Sequence, residues 1–264
     1  MQCTHRRLPA RDPALTTGWE DRHPGIHFRA AVLADLHDKP YDRILPILAR
    51  EKPDIILIPG DLTEDLQPAP DTVSRPGLGL LREAAKLAPT FYAFGNHETG
   101  ACHGNLRHAD RIDPNRVAVH PAWRAVIRES GAVLLDETWT TFHGLVIGGF
   151  GSGLLNPGRV PDCGWIADFA KVPGYKLLLC HQPEYYDRYL RPYEIDLFVA
   201  GHAHGGQWRL FGRGVYAPDQ PLFPKYTSGV HEGRLVISRG LANTASPIPR
   251  IFNPCEVVMI EIME

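Results

Sequence analysis

Short apolar runs alternate with amphipathic stretches through the first part of the chain. Phe28 to Ala34, Asp54 to Ile58 and Thr90 to Phe94 are the apolar runs, and their length predicts strands buried on both faces. Between them, Tyr41 to Glu51 sets Ile44, Leu45, Ile47 and Leu48 on one side, which predicts a helix. Leu78 to Leu87 predicts a second. This strand-helix-strand rhythm is that of an α/β sheet with helices packed on it.

The pattern then changes. Thr99 to Pro121 reads as a long polar loop carrying His103, Arg107, His108, Arg111 and Arg116, and loops of that length are usually functional or mobile. Trp123 to Ser130 predicts a helix. Ala132 to Leu135, Trp139 to Phe142 and Leu145 to Phe150 are closely spaced and predict antiparallel pairing in a second sheet. The rhythm returns with a helix over Cys163 to Ala170, a strand over Lys176 to Cys180, a helix near Glu184 to Leu190 and a strand over Ile195 to Ala200. Arg234 to Ser238 and Glu256 to Ile262 predict the closing strands. No repeat or Gly/Ser-rich linker divides the chain. One α/β domain over residues 27–264 is expected, with two packed sheets flanked by helices. Residues 1–26, rich in Arg, His, Pro and Asp, are set apart as an extension, either a disordered tail or a flap.

Composition narrows the function classes. The chain has 264 residues and a net charge of -2, without the basic excess of a general nucleic-acid binder, so no nucleic-acid partner is expected. The five cysteines, Cys3, Cys102, Cys163, Cys180 and Cys255, are scattered and form no C-x-x-C pair. They imply neither a disulfide framework nor a zinc knuckle, and Cys180 is assigned to the core. No apolar run approaches the roughly 18 residues of a membrane span, and no signal peptide is recognisable, which gives a cytoplasmic expectation.

The chemistry sits at the strand ends. Asp35-Leu36-His37 follows the first predicted strand, Gly60-Asp61 the second and Gly95-Asn96-His97-Glu98 the third. His181 follows Lys176 to Cys180, and Gly201-His202-Ala203-His204-Gly205-Gly206-Gln207 follows Ile195 to Ala200. Each motif alone has an ordinary reading as a turn or a hydrogen-bonded histidine. Ligands in open α/β sheets gather outside the carboxyl ends of the strands, so five motifs so placed can meet despite their separation in sequence. Carboxylate, amide and imidazole donors without a cysteine cluster suit borderline divalent ions such as Mn2+, Fe2+/Fe3+ or Zn2+.

These residues resemble the calcineurin-like metallophosphoesterase superfamily, whose pattern is D-x-H, G-D-x-x-D/E, G-N-H-D/E, H and G-H-x-H, in that order. The G-H-x-H-G-G-Q form, with the tail Ser238-Arg239-Gly240-Leu241 followed by Pro249-Arg250-Ile251-Phe252, is similar to a bacterial branch whose members are often membrane-anchored and act on phosphodiesters or lipid-linked phosphates. The resemblance implies a four-layer α/β/β/α sandwich of two mixed sheets. It implies that Asp35, His37 and His204 hold one divalent ion, that Asn96, His181 and His202 hold another, and that Asp61 bridges both. A hydroxide shared by the ions would then attack phosphorus, with His97 facing the scissile phosphate. Glu64, three residues after Asp61, is where several members carry an acidic residue that orients this histidine, many of them an aspartate; Asp65 is a rival for the role. Glu98 is assigned to loop structure rather than to catalysis. The expected function is a two-metal phosphoester hydrolase, read first as a phosphodiesterase. A phosphomonoesterase and a nucleotide-lipid pyrophosphatase are the alternatives. A non-catalytic scaffold module would tend to lack His97 or a ligand, and both are present.

Overall fold

The computed structural model describes residues 1–9, 26–66, 69–70, 74–99, 119–151, 163–218, 220–243 and 249–263. In chain order the elements are β1 (Gln2–Pro9), β2 (Ile26–Val32), α1 (Leu45–Glu51), β3 (Ile55–Ile58), α2 (Pro76–Leu87), β4 (Thr90–Tyr92), α3 (Ala122–Glu129), β5 (Val133–Leu134), β6 (Thr138–Phe142) and β7 (Leu145–Phe150). They continue with α4 (Gly164–Phe169), β8 (Tyr175–Cys180), β9 (Leu197–Ala200), β10 (Arg209–Leu210), β11 (Arg213–Gly214), β12 (Gly229–His231), β13 (Leu235–Ile237) and β14 (Glu256–Met263). One sheet runs β1-β14-β2-β3-β4-β5 and the other β12-β13-β9-β8-β7-β6. Both are mixed. In the first, β14 pairs antiparallel with β2 while β2 to β5 are parallel. In the second, β12 and β6 are the antiparallel edges.

Side-chain alternation along the strands makes the layers. Phe28, Ala30, Val32, Ile55, Leu57 and Phe91 face Leu145, Ile147, Leu177, Leu179, Leu197 and Val199 across the space between the sheets. The opposite faces carry Ala31, Leu33, Ile56 and Ile58, which pack on Leu48, Leu80, Leu81, Trp123 and Ile127 from the helical segments. On the second sheet, Leu178 and Phe198 pack outward on Ile166, Phe169 and Leu190. Helix, sheet, sheet, helix is the four-layer α/β/β/α sandwich. Each large side chain so buried contributes about 1.5–3 kcal/mol relative to exposure. Cys180 lies in the outer core of the second sheet, as expected.

Several elements differ from the sequence expectation. Gln2–Pro9, set apart as part of an extension, is a sheet strand paired in register with β14 from Gln2↔Glu256 to Pro9↔Met263; residues 10–25 lie outside the described ones. β5 belongs to the first sheet, parallel to β4, so only β6 and β7 form the antiparallel pair expected of three strands. The helix near Glu184 is a π-helical turn over Tyr186–Leu190. Residues 100–118 of the polar loop, including His103, Arg107, His108, Arg111 and Arg116, lie outside the described residues. No helix among the described residues is long and apolar enough to cross a membrane.

Glu256, buried at the start of β14, fastens this edge. It accepts hydrogen bonds from Thr4 Oγ1 of β1 (2.9 Å), from the Arg239 amide (3.0 Å) and from the Arg239 guanidinium (2.6 Å). Burial alone would raise its carboxyl, but Arg239 outweighs burial and lowers it. A depressed folded-state pKa gives stability above the unfolded value, near 4.3, which is lost as pH falls through the folded value. Glu256→Gln is therefore expected to cost about 2 kcal/mol at neutral pH. In urea melts across pH the difference from the native chain should begin to shrink below about pH 4 and vanish once pH falls below the depressed folded value.

Candidate metal centre

The loops that follow β2, β3, β4, β8 and β9 meet at one place. Backbone hydrogen bonds join them: the Asp35 amide donates to the Gly60 carbonyl (3.2 Å), the His37 amide to the Asp61 carbonyl (3.1 Å) and the Gly201 amide to the His181 carbonyl (3.1 Å). The local backbone is strained. Asp35, His37, Asp61, His202 and His204 all have positive φ, between 46° and 64°. A non-glycine residue there costs about 1–2 kcal/mol, and it persists only where its surroundings fix it. Five of the seven candidate ligands carry this strain.

The fixing contacts are visible. Glu98 is fully buried and accepts hydrogen bonds from the amides of Asp61 (2.9 Å), Leu62 (2.6 Å), Thr63 (3.1 Å) and Gly95 (2.7 Å). It also accepts from the Tyr92 hydroxyl (2.7 Å). Burial and the Glu98 charge push the Tyr92 phenol well above its usual pKa, so it stays a donor. One carboxylate thus locks the Asp61 turn against the Asn96 turn, which agrees with the loop role assigned to Glu98. Two glycines are required here by space. A Cβ on Gly60 (φ 126°) would come within 2.5 Å of the Gly95 amide nitrogen and 2.8 Å of His181 Nδ1, and one on Gly95 would collide with the Asp61 carboxylate.

Two donor clusters result. Asp35, His37 and His204 bring ligand atoms within 4.8 Å of one another, and so do Asp61, His181 and His202. Asn96 joins the second cluster, with its Oδ1 2.9 Å from His202 Nδ1. His37 Nε2 and His204 Nε2 are 3.2 Å apart; two imidazoles on one tetrahedral ion would lie about 3.3 Å apart. Asp61 Oδ2 stands between the clusters, 3.0 Å from His181 Nε2 and 3.9 Å from His37 Nε2. The His181 contact is close but out of line for a hydrogen bond, as for two groups aimed at a third point. Asp35 Oδ2 is fully buried without a hydrogen-bond partner, an arrangement that is costly unless a cation takes it. These residues fit a pair of divalent ions.

The electrostatics are correspondingly sharp. Burial alone would raise the Asp61 carboxyl, but His181, then His97 and His37, hold it well below the usual carboxylate range. Burial pushes the Asp35 carboxyl up. Burial would depress His181, but Asp61, Asp35 and Glu98 carry it up to about 9. Burial, with His37 and Arg250 nearby, holds His204 well below the usual histidine value.

Glu64 and His97 lie at the edge of the first cluster. Glu64 Oε2 is 2.7 Å from His97 Nδ1, and Glu64 Oε1 is 3.0 Å from His37 Nδ1. One carboxylate therefore receives both ring N–H groups, leaving His97 Nε2 facing inward, 3.9 Å from Asp61 Oδ2. Burial would raise Glu64, but the hydrogen bonds from His37 and His97 and their charge hold it at about 2.

The structure adds residues that sequence reasoning did not assign. Asp38 accepts from Thr63 Oγ1 (2.7 Å) and from the amides of Glu64 (3.0 Å) and Gly77 (2.8 Å), which fixes Glu64 against α2. Asn253 Nδ2 donates to the carbonyls of His204 (2.7 Å) and Gln207 (3.3 Å). The Arg250 guanidinium lies 3.1 Å from His204 Nδ1 and donates to the carbonyls of Arg239 and Asn243 (both 2.6 Å). None of the three stands in a recognisable spacing with the residue it supports. Trp208 and Arg209 follow the His204 turn, and Arg209 donates to the Gly205 carbonyl (2.7 Å).

The model of the calcineurin-like phosphoesterase family matches residues 28–206. The chain is 27% identical over 236 residues to an uncharacterized metallophosphoesterase of Campylobacter jejuni, covering 86% of this chain and 55% of that one. It is 26% identical over 257 residues to phosphodiesterase YaeI of Escherichia coli, covering 89% and 82%. Among solved structures, a metallophosphoesterase from Sphaerobacter thermophilus is similar with a TM-score of 0.36 and 16% identity, over 89% of this chain and 88% of that one. The chain spans about half the length of the first curated relatives that it matches.

Proposed function

The chain belongs to the calcineurin-like phosphoesterase family, and from that premise we propose that it hydrolyses phosphodiesters with two divalent ions. Asp35, His37 and His204 would hold one ion, Asn96, His181 and His202 the other, and Asp61 both. The donor set suits Mn2+, Fe2+/Fe3+ or Zn2+. The observation that carries the reading is the single Asp61 oxygen lying close to a histidine of each cluster. When bound, the ions polarise the phosphoryl oxygens and lower the pKa of water towards about 7.

The chain's own residues do the rest. Glu98 and the strained turns hold the donors in place, so little reorganisation is needed as charge develops. Glu64 fixes the His97 ring through Nδ1, which leaves Nε2 facing the site as the proton-donating atom. His97 then stabilises the phosphoryl charge and protonates the leaving oxygen. An alkoxide, as a diester releases, needs that proton most. The name of the YaeI relative supports the diester reading.

A second reading, a lipid-linked diester, is favoured by the rim. β10 and β11 form a hairpin with Phe211 at its tip, fully exposed, and Phe252 beside it is 81% exposed. Leu210 and Ile251 are also exposed, and the hairpin starts directly after the His204 turn. Such a projecting apolar tip suits an interface better than a dissolved substrate does.

The test is a substrate series on the metal-loaded protein. Bis-p-nitrophenyl phosphate is expected to exceed p-nitrophenyl phosphate by about tenfold or more in kcat/KM, and a lipid diester in vesicles should do better still if the second reading holds. A reversed preference would make the chain a monoesterase. No turnover of any substrate with two ions bound would make it a scaffold module.

A further inference from the structure

We propose that Cys3, His5 and Glu51 form a separate zinc site on the outer face of the first sheet. Cys3 and His5 are two residues apart on β1 and so share a face. Glu51 closes α1 and packs beside them. Ligand atoms of the three lie within 4.8 Å of one another.

The spacing matches a filled coordination shell. Cys3 Sγ is 3.9 Å from His5 Nε2, and His5 Nε2 is 3.5 Å from Glu51 Oε2. Tetrahedral zinc bond lengths give about 3.6 Å for sulfur to nitrogen and about 3.4 Å for nitrogen to oxygen. The histidine is also oriented for the task. Its Nδ1 lies 3.2 Å from Glu261 Oε1, an acceptor, so Nδ1 carries the hydrogen and Nε2 turns its lone pair toward Cys3 and Glu51. A carboxylate behind a histidine behind a metal is the usual outer support of a zinc ligand. Glu261 is held in turn by Arg7 (3.1 Å) and Arg29 (3.5 Å).

Glu51 is anchored without being used up. Arg50 engages Oε1 at 2.7 Å. Arg29 donates to the Glu51 backbone carbonyl and to Oε2 (3.3 Å). Oε2 keeps lone-pair capacity toward His5. The thiolate selects zinc over manganese or magnesium. The His5 side chain is 42% exposed, so solvent can supply the fourth ligand. The ion would pin β1 to the end of α1, giving a polar strand a reason to stay on the sheet edge.

The experiment counts zinc. The full chain is stripped with chelator, reloaded with zinc, desalted and analysed by mass spectrometry for metal, alongside Cys3→Ser and His5→Gln. Both variants should hold one zinc fewer than the native chain. Alkylation at Cys3, mapped by peptide mass, should slow at least about tenfold with zinc in the native chain but not in H5Q. Glu261→Gln should weaken this zinc by about 10–100-fold without changing the count at saturation. Equal zinc counts in all three chains, with Cys3 alkylation unaffected by zinc, would overturn the proposal. If C3S fails to fold, H5Q, at a half-exposed position, still decides it.

Discussion

Asp61→Ala is expected to lose bound metal and turnover together, by on the order of 10³-fold or more in kcat. The size follows from position. Asp61 Oδ2 lies 3.0 Å from His181 Nε2 in one cluster and 3.9 Å from His37 Nε2 in the other. Alanine leaves the first cluster with Asp35 as its one carboxylate and the second cluster with none, too little negative charge to balance two dications. The fold should survive, because Glu98 grips the Asp61 backbone amide and not its side chain. The chain should therefore stay folded by circular dichroism while metal analysis falls well below two ions. A D61A protein that kept two ions would refute the shared carboxylate.

His97→Ala is expected to separate the two properties. His97 contributes its ring to the edge of the site, through Glu64, and its amide to Asp61 Oδ1 (2.8 Å). The amide survives substitution, so metal content should hold. Loss of a positioned acid costs about 10²–10⁴-fold in kcat. The deficit should be larger for an alkyl diester than for a nitrophenyl one, because nitrophenolate leaves without a proton. An H97A enzyme equally impaired on both leaving groups would assign His97 to phosphate binding alone, and unchanged turnover would remove it from the mechanism.

Much of this was legible in the chain, and the reason is local. Ile55-Ile56-Leu57-Ile58 is apolar at every position because both faces of β3 are covered, so its strand could be read directly. The ligand motifs could be read because each follows such a strand. β1 could not. Its sequence, Gln2-Cys3-Thr4-His5-Arg6-Arg7-Leu8-Pro9, is polar on both faces, and its partner lies some 250 residues away. The two residues of β5 carry no pairing information of their own; Tyr92 of β4 decides its sheet, by pairing with Leu134. The contacts of Asp38, Arg250 and Asn253 escaped, although Arg250 stands in the tail that carries the resemblance, because a side chain that serves backbone amides and carbonyls leaves no spacing rule. Glu64 was found only through resemblance, and its grip on His37 as well as His97 is a property of three-dimensional contact.

The order β1-β14-β2 has a consequence for synthesis. Residues 2–9 and 26–32 are made early, yet the strand that lies between them comes from residues 256–263. Until those residues leave the ribosome, β2 presents an open edge and β1 has nothing to pair with, a standing invitation to association with other nascent chains. Closure of this part of the sheet therefore waits for residues 256–263, and the earlier strands must be shielded until then.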